Sequence, residues 1–250
     1  DMEHTTRRPD GGVAEDWIGR CDEMHRMMRI VSILSLLAMA FGAGSCSRML
    51  GGSRGTDLLA TGLVGWQQIG GEEGTWEYEP AASLESGEGV LSTEGENGGW
   101  LATLRQYDNF ALSLEFRVPP GGNSGVFLRA PLEGNPAYQG MEIQILDDHA
   151  EQWRGLQPYQ YTGSIYGVQA PSERVSLPAG QWQRMLIIAR GANVQVGLNG
   201  RKIIDTNLTN YPHKAETHPG LTREEGYIGL QNHGSRVEFR NIRILELPDA

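Results

Sequence analysis

A carboxylate, amides, a guanidinium and an imidazole recur at two-residue spacing in three stretches of this chain. Glu142 and Gln144 alternate with Ile143 and Ile145 in MEIQIL; Asn123, Phe127 and Arg129 share a parity in NSGVFLR; Gln231 and His233 share one in LQNHGS. Side chains of an extended strand point to opposite faces with period two, so each stretch reads as a strand with one oily face and one face carrying chemistry. Glu142 is the leading candidate for a general base or a metal ligand, against the bland alternative of a surface glutamate or a partner for Arg129. Gln144 cannot titrate and would orient a hydroxyl or complete a coordination shell. The Arg129 guanidinium would stabilise an anionic oxygen or simply pair with Glu142, and the two roles share one geometry. His233 titrates near neutral pH, which suits an acid, a base or a metal ligand, although lone histidines are usually structural or exposed. Together Glu142, Gln144 and His233 would form an N/O set for a divalent ion; no tight H-x-x-x-H or D-x-D-x-D spacing supports it.

The elements that must position these residues are short strands separated by turn signals. Strands are expected over 75–79, 89–92, 100–104, 110–118, 124–130, 140–146, 182–190, 193–199, 201–206, 226–231 and 236–245. Pro119-Pro120-Gly121-Gly122, Gly134-Asn135-Pro136, Pro178-Ala179-Gly180 and the hairpin-like Asn199-Gly200 lie between them. High glycine content, 34 of 250 residues, and scarce helical periodicity point the same way. The expected fold is all-β, a two-sheet antiparallel jelly-roll sandwich with one sheet facing a ligand.

The formal charge of −10 argues against a nucleic-acid partner, because phosphate binding needs a basic surface. A neutral ligand such as a sugar suits this balance better. On that view Trp153 and Tyr166 offer flat faces for a pyranose ring, with core packing an equal claim for Tyr166. Asp147 and Asp148 either cap the turn after the Glu142 strand or hydrogen-bond hydroxyls. Asn123 and Ser124 open a strand after PPGG, where backbone duties compete with ligand contact, and Gln231 shares the parity of His233. His213 and His218 lie in a polar, proline-containing loop and are expected to face solvent.

Residues 24–45 have the three parts of a secretory signal: basic Arg26 and Arg29, an apolar run from Ile30 to Phe41, then small residues. Cys46 follows Ala43-Gly44-Ser45, resembling the lipobox of bacterial lipoproteins, with Ala where that pattern prefers Leu. The expectation is an exported, lipid-anchored protein of the periplasm or outer envelope, touching membrane through that anchor alone. Residues 1–23 read as a prefix ahead of a start at Met24, or as a disordered tail. Cys21 would be lost with the signal, leaving no disulfide in the mature chain. The Gly/Ser-rich stretch 46–62 reads as a tether, and the folded domain is expected over 63–248.

NSGVFLR, YQGMEIQILDD, TGSIYGV, GQWQRMLIIARGANVQVGLNG and GYIGLQNHGSRVEFRNIRI occur in that order. Together they resemble the 3-keto-disaccharide hydrolase domain family, which implies a concanavalin A-like jelly roll of the lectin/glucanase type. The resemblance also implies cleavage of glycosides already oxidised to a ketone at C3. A C3 ketone acidifies the C2 proton, and the C1 aglycone is β to the resulting carbanion, so one base and one enolate stabiliser suffice. The paired carboxylates of an ordinary glycosidase are not needed. Two other readings use the same fold: a non-catalytic lectin-like binding module, and a standard endoglycanase. The second is weakened by an amide at position 144, where laminarinase-like jelly rolls carry an acid.

Overall fold

The structure, a computed structural model, describes residues 55–85, 87–93 and 98–249. The prefix, the export signal and Cys46 lie outside the described residues. Thirteen strands form two antiparallel sheets. The larger, eight-stranded sheet runs β11 (Arg201–Asn207), β10 (Asn193–Leu198), β9 (Gln183–Arg190), β6 (Phe110–Arg117), β13 (Glu238–Glu246), β4 (Val90–Thr93) and β3 (Trp76–Glu79), with β1 (Thr56–Asp57) paired to β13. The five-stranded sheet runs β2 (Trp66–Ile69), β5 (Trp100–Tyr107), β12 (Gly226–Gln231), β7 (Asn123–Ala130) and β8 (Met141–Leu146). The expected strands form within a residue or two at most ends, and β1 and β2 are additional.

The expected tether is shorter than the sequence suggests. Thr56 and Asp57 pair with Ile244 and Arg243, Leu59 is buried in the core, and the Trp66 indole N–H donates to the Leu58 carbonyl at 2.8 Å. The folded domain therefore begins by residue 55 rather than 63, because apolar Leu58, Leu59 and Leu63 are drawn onto the core within a Gly-rich stretch.

Alternation explains the larger sheet. In β6, Phe110, Leu112, Leu114 and Phe116 are buried while Ala111, Ser113, Glu115 and Arg117 are half-exposed. The buried row packs against Val126, Leu128, Ile143, Ile145, Ile228 and Leu230 of the smaller sheet. Asn199 and Gly200, both at positive φ, make the tight reversal between β10 and β11, as a two-residue hairpin requires.

The smaller sheet differs. Every residue of β8 is buried, although its sequence alternates apolar and polar. Its second face must therefore be covered. One cover is the helical turn α1 (Pro136–Gln139), started by the Asn135 side chain accepting from the Ala137 N–H with Pro136 at the first position. A second is the segment 159–168, which lies along the β8 edge: the Gly163 N–H donates to the Gln144 carbonyl and the Tyr166 N–H to the Glu142 carbonyl. This cover also removes an open sheet edge.

Candidate active site

Strand register brings the site together on the outer face of the smaller sheet. Phe127 faces Glu142 and Gly125 faces Gln144 across β7–β8, while Gly229 faces Phe127 across β12–β7. Asn123 and Gln231 follow by parity on the same face. The floor is aromatic: Trp100 and Phe127 meet edge to face with centroids 5.5 Å apart, and with Ala102, Ala130 and Ala137 they form a second apolar cluster against which Tyr138 packs. Gly229 makes this possible, since a Cβ there would overlap the Trp100 indole.

Glu142 sits over Gly125, where a Cβ would overlap its carboxyl group. It is 4% exposed. Burial pushes its pKa up to about 8, against a smaller opposing hydrogen bond from the Gln231 side-chain amide. The cause is desolvation without a cation: an amide supports a carboxylate less than an arginine does. Two acceptors on the same face, Asn123 Oδ1 and Gln231 Oε1, are buried without a donor. Gln144 is buried beside Glu142, its Oε1 accepting from the Ile145 N–H at 3.2 Å.

Above the floor stand Tyr138 from α1, Tyr166, and His218 from the 212–223 loop. The Tyr138 ring lies 6.4 Å from Tyr166 and 4.9 Å from His218, both edge to face. Burial first, then Tyr166 and Glu142, raise the Tyr138 phenol above its ordinary value, so it stays protonated. His218 is buried, its Nδ1 2.9 Å from the Thr217 hydroxyl, and its Nε2 fits against Gly167, where a Cβ would come within 2.5 Å. Burial first, then Lys214, lower its pKa, partly offset by the Tyr166 backbone; the imidazole is neutral at pH 7.

Of the residues singled out in the sequence, Glu142, Gln144, Gln231 and Asn123 share this face, with Tyr166 at its rim. Five others lie off it, Ser124 and Asp147 in the backbone roles that were one of their two readings. Arg129 does not reach this face: a bulge places two β7 residues opposite one on β12, Arg129 takes φ +50°, and its guanidinium donates to the carbonyls of Asp108, Gly191 and Arg223. It pins three turns at one end of the sandwich. Ser124 points to the core and donates to the Gln231 carbonyl. Asp147 caps a turn, accepting from the Gly121 and His149 N–H groups. Trp153 is half-buried in a loop, its indole N–H donating to the Gly121 carbonyl at 3.3 Å. His233 is exposed beyond the end of β12.

His218, expected in solvent, is buried at the site, and Tyr138 was not singled out at all. The Asn135-Pro136 helix start was the signal for Tyr138; read as a turn alone, it gave no direction to the ring. Among the described residues no group of three His, Cys, Asp or Glu is placed to hold a metal ion.

The sandwich has jelly-roll architecture, and its family makes the chain a glycoside-cleaving enzyme. The chain belongs to the 3-keto-α-glucoside-1,2-lyase-like domain family, whose model matches residues 56–245. It is 27% identical over 213 residues to a 3-keto-disaccharide hydrolase of Bacteroides thetaiotaomicron, covering 72% of this chain and 73% of that protein. Two crystal structures from Parabacteroides distasonis, provisionally named glycosyl hydrolases, are also similar. One is 25% identical with a TM-score of 0.67, covering 81% of this chain and 98% of the other; the second is 28% identical with a TM-score of 0.59, covering 73% and 99%.

Proposed function

We propose that this chain cleaves the glycosidic bond of 3-keto-glycosides or 3-keto-disaccharides by elimination, with Glu142 as the base that takes the C2 proton. The observation that carries this reading is the buried Glu142 carboxyl, its pKa about 8, held by an amide and bordered by aromatic rings. A base matched to near-neutral pH transfers protons most effectively, and burial supplies the match. The neighbouring acids Asp147 and Asp148 are tied to backbone N–H and hydroxyl groups, which leaves Glu142 without the second carboxylate of a double-displacement site.

The carboxylate form of Glu142 removes the proton from C2, and the electron pair develops an enolate at the C3 oxygen. Collapse of the enolate restores the ketone, forms the C1–C2 double bond and expels the aglycone oxygen, which takes a proton from water. Water adding across the enone then completes net hydrolysis, and Glu142 returns its proton to solvent. The family and the relative's name support the substrate class. The signal-like segment and Cys46 support export and a lipid anchor.

The experiment is incubation with a 3-keto-glucoside and with the unoxidised glucoside. Aglycone release from the keto form alone is expected, rising with pH to a plateau above about 8, because the deprotonated carboxyl is the active form. Glu142→Gln is expected to cut turnover by about 10²–10⁴-fold with the fold retained. Release from the unoxidised sugar, or binding without release, refutes the reading. Chelation tests the divalent-ion alternative built on Glu142, Gln144 and His233: turnover lost to EDTA and restored by a cation would show a metal requirement.

A further inference from the structure

Elimination through an enolate needs a donor at the C3 oxygen, and Arg129, which the sequence offered, is committed to three backbone carbonyls at the end of the sandwich. We infer that Tyr138 is the catalytic residue that donates its phenolic hydrogen bond to the ketone oxygen as it becomes an enolate. This rests on the reading above and adds a residue to it.

The geometry comes from three placements. Tyr138 projects from α1 and packs on the Trp100–Phe127 cluster, and Phe127 is the cross-strand partner of Glu142 on the same face, so ring and carboxyl lie on one side of the sheet, near enough for Glu142 to raise the phenol pKa. The ring is held from two sides, by His218 at 4.9 Å and Tyr166 at 6.4 Å. The α1 turn carrying it ends at Gly140, whose missing Cβ lets the chain press on β7: a Cβ would lie 2.7 Å from the Ala130 Cα. Such a ring is held before substrate arrives, which is what gives an enolate donor its value.

The rival tyrosine is Tyr166. Its hydroxyl accepts from the Gln160 amide at 3.1 Å and keeps its own O–H, but of the two only the Tyr138 ring packs on the cluster that contains Phe127, the cross-strand partner of Glu142. Tyr138 is half-buried, so its hydroxyl can meet a ligand, and its proton is retained well above neutral pH. His218 is the weaker candidate for this role, because its Nε2 is packed against Gly167 with no accessible surface.

The test is Tyr138→Phe, which keeps the ring and its packing. With a 3-keto-glucoside, kcat is expected to fall about 10²–10³-fold with KM changed less than about threefold. Exchange of the C2 hydrogen with D2O should fall by the same factor, because the hydroxyl stabilises the enolate and not the bound ketone alone. Wild-type exchange matched by the variant would overturn this inference while leaving the elimination reading intact, as would a raised KM at unchanged kcat, which assigns the hydroxyl to binding. Product formed in D2O without deuterium at C2 would overturn both, because water adding across the C1–C2 double bond takes its C2 hydrogen from solvent.

Discussion

Glu115 and Glu142 stand on the outward faces of the two sheets, and their surroundings drive their acid strengths in opposite directions. Glu115, on β6, is raised by burial, yet the Arg184 hydrogen bond at 2.9 Å and Arg240 at 2.8 Å outweigh this and hold its carboxyl below the usual range. It belongs to a ladder of cross-strand ion pairs that continues through Arg117–Glu238, Arg240–Glu88 and Arg243–Asp57. Glu142, on β8, meets an amide and a phenol in place of arginines, and its pKa climbs to about 8. The eight-stranded sheet leaves its outer face to solvent and fills it with paired charge. The five-stranded sheet has that face covered by α1 and two loops that bring aromatic rings instead. What a sheet's second face does is decided by what covers it: cations in solvent hold a carboxyl ionised, whereas rings and amides raise its pKa.

Three experiments break or sharpen this contrast. The largest effect is the pH dependence of stability. Between the ordinary carboxyl value of 4.5 and about 8 the folded chain keeps the Glu142 proton that the unfolded chain has released. Stability therefore falls as pH rises through that window, by up to about 5 kcal/mol. Urea midpoints for wild type and Glu142→Gln should converge near pH 4 and separate by pH 8.5, with the variant the more stable; parallel curves would show that Glu142 is not buried as described.

Next is Gly125→Ala. The added methyl overlaps the buried Glu142 carboxyl and its Cγ, so the whole side chain must shift, at a stability cost of about 1–3 kcal/mol. The carboxyl loses its place beside Gln231, and a misplacement of this size should lower kcat about 10²-fold. Unchanged kinetics would show that Glu142 need not lie over Gly125.

The smallest effect belongs to the other face. Glu115→Gln should change turnover less than about twofold and stability by about 1 kcal/mol or less, shrinking further in high salt, because partly exposed ion pairs contribute little. A large kinetic effect would mean that the two faces are coupled through the core.

Much of the fold was legible because alternation is local. Ile143 and Ile145 against Glu142 and Gln144 identify the two faces of β8 without any partner strand, and Asn199-Gly200 marks its hairpin by the positive φ that those residues tolerate. Parity failed at Arg129, because a bulge adds one residue opposite β12 and the side chain leaves the row that Asn123 and Phe127 define. Ser124 and Asp147 follow parity off that row and take the backbone roles that were one of their two readings. Composition missed the start of the domain, since the leucines at 58, 59 and 63 lie among glycines that read as a tether.

The sequence by itself determined the strands, their oily faces, the acidic balance and the carboxylate on a polar row, since each follows from residues two to four apart. Tertiary structure alone decided that this row would be dry, that Tyr138 and His218 would wall it, and that Arg129 would be spent on pinning turns. The reason is physical: desolvation depends on what covers a side chain. Here the cover comes from α1, the 159–168 segment and the 212–223 loop, the last lying some seventy residues along the chain from Glu142.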